Sequence, residues 1–235
     1  MVDKLDVRVY LIDEPKGNTK AFASIAVNDL VAIRGIRVVE DSKGLFVSMP
    51  QSQDKKTGKY HDIAFPLDGD LRKEFSRAVL GEHDRQASLP PDRRGYPAPD
   101  KDAAVSINLD EVKLDVRVYP IKEPQGNVLA FASISVDDLV AIRGVRIIEG
   151  DDGKFIGMPT TQDKYMNYHD IAFPLTKELR DEMTKIAVGK LEAPERAAER
   201  KPSLNDKLAA GANKAAGHTA PAKMAAKSKN AGVLE

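Results

Sequence analysis

Hydrophobic and polar positions alternate along "LDVRVYLI" (5–12). Leu5, Val7 and Val9 stand against Asp6, Arg8 and Tyr10, the two-residue period of a strand with one buried face. "EPKGN" (14–18) has hairpin-turn chemistry and predicts a return strand over "AFASIAV" (21–27). Asn28–Asp29 predicts a tight turn into "LVAIRGIRVVE" (30–40), a long β-branched strand in which Gly35 predicts a bulge. "LFVSMP" and "YHDIAFP" predict shorter extended pieces around a polar loop, with Ile63, Phe65 and Leu67 as the core face. The period then changes. Over 68–81, Leu71, Phe75, Ala78 and Val79 recur at helical spacing, and Gly81 supplies a stop. The unit is an α+β fold: an antiparallel sheet with one C-terminal helix packed on a face.

This pattern occurs twice. "KLDVRVYLIDEPKGNTKAFASIAVNDLVAIRGIRVVE" (4–40) returns as "KLDVRVYPIKEPQGNVLAFASISVDDLVAIRGVRIIE" (113–149), and the match runs on to Gly81 and Gly189. Roughly three positions in five are identical, and a unit this long is a small domain rather than a solenoid repeat. Pro120 replaces Leu11, which predicts an edge position because proline cannot donate to a ladder. The expected organisation is domain 1 over 1–81, a flexible Pro/Asp-rich linker over 82–112, domain 2 over 113–189 and an Ala/Lys-rich tail over 190–235. The tail is expected to be largely disordered, because it has too little apolar surface to offset its ordering entropy. Within it "SLNDKLAAG" (203–211) has the caps of a short helix at Ser203 and Gly211.

Composition narrows the possibilities. Lys+Arg and Asp+Glu both number 36, and the absence of Cys excludes disulfides, thiolate metal sites and cysteine nucleophiles. No apolar run approaches the ~18 residues of a membrane span, and the N-terminus lacks a signal-peptide core, so a cytoplasmic protein with no membrane partner is expected. Charge is distributed unevenly. Repeat 1 (4–81) carries 13 basic against 11 acidic residues, repeat 2 (113–189) 10 against 12, and the tail 9 against 5.

"YHDIAFPL" stands at 60–67 and again at 168–175, which raises the question of a His–Asp metal site. The chain has four histidines, of which His83 and His218 fall in the connector and tail. One His beside one Asp on a strand makes a poor cage, since neighbours point to opposite faces. No Ser–His–Asp set repeats and no phosphate-binding glycine loop occurs. The expectation is no enzyme, no cofactor, no metal and no catalytic residue, with Asp62 and Asp170 bonding nearby backbone or an arginine of the same sheet. Metal analysis of the purified protein tests the remaining reading, a metal-dependent phosphohydrolase. The basic residues are more informative. "QSQDKKTGKYH" (51–61) gathers Lys55, Lys56 and Lys59 beside Tyr60 and His61. Arg34 and Arg37 of the long strand flank it in sequence, as do Arg72, Lys73 and Arg77 of the helix. Repeat 2 keeps Arg143, Arg146, Lys164 and Arg180. A cationic loop with an aromatic holds a phosphodiester backbone while a base stacks, so these are the candidate nucleic-acid contacts.

The residues Ile36-Arg37-Val38, Gly44 to Pro50, Asp62 to Pro66 and Arg72, with Val145-Arg146-Ile147, Phe155, Met158-Pro159, Asp170 to Pro174 and Arg180, resemble the SpoVG family, the stage V sporulation (septation) proteins of bacteria. The resemblance covers both repeats and neither the linker nor the tail. It implies a dimeric, non-enzymatic regulator that binds DNA and RNA, with the start of the helix (68–72 and 178–180) as a candidate for sequence discrimination. This chain departs from the pattern in lacking basic residues after Met-Pro (Gln51, Ser52, Thr160, Thr161), in carrying His61 and His169 before Asp, and in carrying Phe65 and Phe173 where histidine is frequent. Two units of a dimer-forming family in one chain lead to the expectation that the repeats pair with each other as a pseudo-dimer, or that the chain forms a homo-oligomer. The alternative function is a protein-interaction adaptor whose dimeric scaffold carries a docking helix in the tail.

Overall fold

The computed structural model describes residues 2–54, 57–96, 108–124, 126–162 and 166–193. The helix expected at 203–211, most of the tail and the middle of the connector lie outside the described residues.

Repeat 1 opens with β1 (Leu5–Leu11) and β2 (Thr19–Val27), antiparallel in unbroken register from Leu5 opposite Val27 to Leu11 opposite Ala21. Asn28 and Asp29 follow with φ of 50° and 54°, the two positive values a mirror-image hairpin turn demands. The Leu30 amide closes that turn on the Val27 carbonyl at 2.9 Å. β3 (Val31–Asp41) pairs back on β2, with Ile33 opposite Ile25 but Ile36 opposite Ala23. Arg34 and Gly35 together stand opposite the single residue Ser24, and Gly35 takes φ +74°, so the expected bulge is present. It keeps both Ile33 and Ile36 fully buried and turns Arg34 outward.

β4 (Gly44–Ser48) lies along the second half of β3, from Arg37 opposite Ser48 to Asp41 opposite Gly44. The stretch read as a polar loop is a two-stranded ribbon of β5 (Gln51–Gln53) and β6 (Tyr60–Asp62). After β7 (Ala64–Pro66) comes α1 (Gly69–Ser88), capped by the Asp68 carboxylate, which accepts from the amides of Asp70 and Leu71. Repeat 2 follows the same order: β8 (Leu114–Pro120), β9 (Val128–Val136), β10 (Val140–Gly150), β11 (Gly153–Gly157), β12 (Thr160–Gln162), β13 (Tyr168–Asp170), β14 (Ala172–Pro174) and α2 (Lys177–Glu192). Pro120 ends β8, the outermost strand of its sheet, where a missing donor costs no ladder bond.

The repeats exchange strands. β7 pairs with β10 of repeat 2, placing Pro66, Phe65 and Ala64 opposite Val140, Ala141 and Ile142. β14 pairs in the same way with β3, opposite Val31, Ala32 and Ile33. Flanking bonds lengthen each seam. Leu67 and Leu175 donate to the Leu139 and Leu30 carbonyls at 2.8 Å, and Arg143 and Arg34 donate to the Ile63 and Ile171 carbonyls at 2.7 and 2.6 Å. Each long central strand therefore has one edge filled half by its own repeat and half by the other. Met1–Ala193 forms one compact unit, and one apolar cluster joins Ile33, Ile36 and Phe75 to Ile142, Ile147 and Met183.

Three expectations need correction. The buried residues of the exchanged strand are Ala64 and Pro66, whereas Phe65 is half-buried and Leu67 is exposed. The chain crosses to a new sheet there, and facing Ala141 across the ladder places Phe65 on the solvent side. Helix α1 does not stop at Gly81 but runs to Ser88 and buries Gln86, and α2 passes Gly189 to reach Glu192. A mid-helix glycine costs only ~1 kcal/mol, which the packing of the added turns offsets. Finally, the start of the connector is structured. Glu82 and Arg85 form a two-pronged ion pair with both bonds at 2.7 Å. The Tyr96 hydroxyl accepts from the Val9 amide and donates to the Glu82 carboxylate, each at 2.5 Å, covering the open edge of β1.

Candidate nucleic-acid interface

The expected contacts fall into separate places. Arg34 and Arg143 stand at the bulges, exposed, each with its guanidinium over an aromatic ring of the other repeat: Arg34 at 4.7 Å from Phe173 and Arg143 at 4.6 Å from Phe65. Arg37 and Arg146 lie further along the same strands, half-buried on the solvent side of their sheets. Lys59, Tyr60 and His61 are on the ribbon, fully on the surface, and Tyr60 is 63% exposed. Lys55, Lys56 and Lys164 lie outside the described residues.

The helix residues are engaged differently. The Arg72 guanidinium meets the Asp62 carboxylate at 2.5 Å, and Gln51 donates to the other oxygen of that carboxylate at 2.9 Å. Arg180 approaches Asp170 at 3.8 Å. The aspartate of the "HD" pair thus ties ribbon to helix. Its partner is an arginine of the helix, not of the sheet as expected, because β6 passes beside the first turn of α1. His61 sits opposite Ser52 on the ribbon, away from that contact. Among the described residues no group of three His, Asp or Glu side chains could hold a metal ion, and no helix is long and apolar enough to cross a membrane. Lys73 and Arg77 line a cleft of about 440 Å³ shared with Asp68, Asp70, Glu74 and Asp138. Carboxylates outnumber cations there, which disfavours phosphate.

The residues that reading by motif missed are aromatics on the sheets, Tyr10 and Phe22 with Tyr119 and Phe131, which stand in rows with the expected Arg37 and Arg146. Tyr10 pairs with Phe22, Phe22 with Arg37, and Arg37 with Ser48, so one row crosses four strands. All four lie on the face turned away from Val9, Ala23 and Ile36, hence away from the core. Tyr10 is 51% and Phe22 48% exposed. Sheet 2 repeats the row as Tyr119, Phe131, Arg146 and Gly157, with Tyr119 at 55% and Phe131 at 47% exposure. The signal was present in the strand alternation. Tyr10 and Phe22 occupy the polar parity of their strands, where burial cannot account for an aromatic. The Arg37 guanidinium donates to the Ser48 hydroxyl at 3.4 Å. In sheet 2 the glycine leaves room instead: a Cβ on Gly157 would lie 3.5 Å from Nη2 of Arg146 and 2.9 Å from Cδ1 of Ile148.

Comparison with known proteins places these features. The SpoVG family model matches residues 2–85 and again 112–192. The chain belongs to the SpoVG family. It is similar to proteins named septation protein SpoVG: 36% identical over 97 residues to that of Staphylococcus carnosus, covering 41% of this chain and 89% of the relative. The Myxococcus xanthus protein is 40% identical over 80 residues, covering 34% of this chain and 78% of the relative. The Staphylococcus aureus protein is 38% identical over 88 residues, covering 37% and 86%. A SpoVG relative therefore corresponds to one repeat, and this chain carries two SpoVG units in tandem, their seventh strands exchanged.

Proposed function

We propose that the chain is a non-enzymatic, cytoplasmic nucleic-acid-binding regulator of the septation type, acting as a pseudo-dimer within one polypeptide. One observation carries this reading: both sheets turn to solvent a row in which two exposed aromatics stand next to an arginine. Aromatic faces accept bases of any sequence, and the arginines supply charge for the backbone. The ribbon residues Lys59, Tyr60 and His61 add a second cationic and aromatic surface.

A gel shift over a range of salt, with single- and double-stranded probes, tests the reading. Binding should weaken steeply with salt. Replacing Arg37 and Arg146 with Ala should reduce the salt slope by about one to two units if both contact phosphate, and Lys55, Lys56 and Lys59 together by up to about three. Absence of binding to either probe at low salt rules the reading out.

A further inference from the structure

The two sheet faces are not equal, and the difference comes from the connector. At the outer edge of β1, Tyr96 stands edge-on to Tyr10 with ring centroids 5.5 Å apart, and the Arg8 guanidinium lies 5.8 Å from the centre of the Tyr96 ring. The Tyr96 hydroxyl is anchored on Val9 and Glu82. Gln86, 1% exposed, braces the arrangement: its amide donates to Glu82 at 3.1 Å and its carbonyl accepts from the Gly95 amide at 3.1 Å. The row on sheet 1 is thereby extended to Tyr96, Tyr10, Phe22 and Arg37, an aromatic surface ending in a cation. On sheet 2 the corresponding edge is taken by a lysine, Lys190, which donates to the Val116 carbonyl at 2.7 Å, so the row there stops at Tyr119.

From this geometry, and resting on the nucleic-acid reading above, we infer that sheet 1 is a binding site for single-stranded nucleic acid, with Tyr10 and Phe22 stacking unpaired bases and sheet 2 contributing less. Neighbouring strands are ~4.8 Å apart, so the row from Tyr10 to Ser48 covers about 14 Å. A four-stranded sheet with exposed aromatics accommodates two or three splayed bases on such a surface. Duplex bases are stacked on each other and offer no free face, so a duplex meets only the cations. Charge complementarity selects this occupant over an apolar protein surface: Arg34 and Arg37 project on the same side of the sheet as the rings, beside Arg8. Repeat 2 also carries the lower net charge.

The test uses the full chain and fluorescein-labelled oligothymidine, with a hairpin duplex of equal charge at matched salt, read by anisotropy. Tyr10→Ala/Phe22→Ala should weaken oligothymidine binding by roughly ten- to a hundred-fold, the loss of one to two stacked bases, and leave duplex binding within about twofold. Tyr119→Ala/Phe131→Ala should weaken oligothymidine binding by several-fold less than the first pair does, and circular dichroism confirms that both variants stay folded. Equal losses on single strand and duplex, equal losses from the two pairs, or no loss from the first pair would each overturn the inference while leaving the regulator reading in place. So would light scattering that shows a dimer of the full chain which Tyr10→Ala/Phe22→Ala splits, since the face would then be a self-association surface. If the unaltered protein binds neither probe, the regulator reading and the inference fail together.

Discussion

The guanidinium of Arg34 covers the ring of Phe173, a residue that lies in the other repeat and reaches it only because β14 has crossed between the sheets. The reciprocal pair of Arg143 and Phe65 is built in the same way. A cation over an aromatic at a partly exposed site contributes about 0.5–1 kcal/mol. A double-mutant cycle of Arg34→Ala and Phe173→Ala in urea should return a coupling of that size. A coupling indistinguishable from zero would show that the two side chains only lie near each other.

The exchanged strands hold the repeats together independently of the connector. With a protease site inserted between residues 97 and 107, the cut chain should still migrate as one particle under native conditions and separate only in denaturant. A fragment of residues 1–96 keeps β7 but loses β14, so it should form a homodimer in which each copy supplies the strand the other lacks. Separation of the cut halves, or a well-folded monomer of the fragment, would contradict the assignment.

Glu82 makes stability depend on acid. Arg85 beside it, helped by the Tyr96 hydroxyl, holds its carboxyl at about 2 against an ordinary value of 4.5. A depressed folded value means the stabilisation is fully present above pH 4.5 and is lost as pH falls towards 2. The Arg85 side chain is 54% exposed, so water screens the pair and the loss over this window is on the order of 1 kcal/mol. Urea midpoints measured from pH 6 down to pH 2 should fall through this range, and Glu82→Gln should remove this share of the fall. An unchanged pH profile in the variant would place the acid sensitivity elsewhere.

Ser48 and Gly157 occupy the same place in the two sheets, opposite Arg37 and Arg146. Val39 stands in repeat 1 where repeat 2 has Ile148, whose Cδ1 would lie 2.9 Å from a Cβ on Gly157. Gly157→Ser should therefore cost about 0.5–1 kcal/mol as Ile148 changes rotamer. Adding Ile148→Val should restore most of that loss in thermal denaturation. A double variant no better than the single one would mean that the crowding comes from Arg146 instead.

Much of this architecture was legible in residue order. The alternation at 5–12, the Asn28–Asp29 turn and the bulge at Gly35 all follow from local chemistry, and the structure has them where that chemistry places them. The boundary at Gly81 was misread because a stop signal is weak when the residues beyond it have a surface to pack on. The inward face of "YHDIAFPL" was misread for a different reason. Which side of a strand is buried depends on the sheet it joins, and here Phe65 meets Ala141, 76 residues further along the chain. The candidate site suffered likewise. Lys59, Tyr60 and Arg72 read as one cluster because they are close in sequence, yet Arg72 is bound to Asp62. The row of Tyr10, Phe22 and Arg37 spans three strands and becomes visible only once their register is known.

Exchange of β7 and β14 inside a single polypeptide frees the assembled form from mass action. A pair made of separate copies comes apart on dilution, and any substitution in its gene appears on both sides of the symmetry axis. Here the partner is always present at a fixed ratio, and each half is encoded on its own. That freedom allows Tyr96 to close one edge while Lys190 closes the other, and lets one half carry more positive charge than its neighbour. The faces of the two sheets can thus differ from each other, which those of a twofold-symmetric pair cannot.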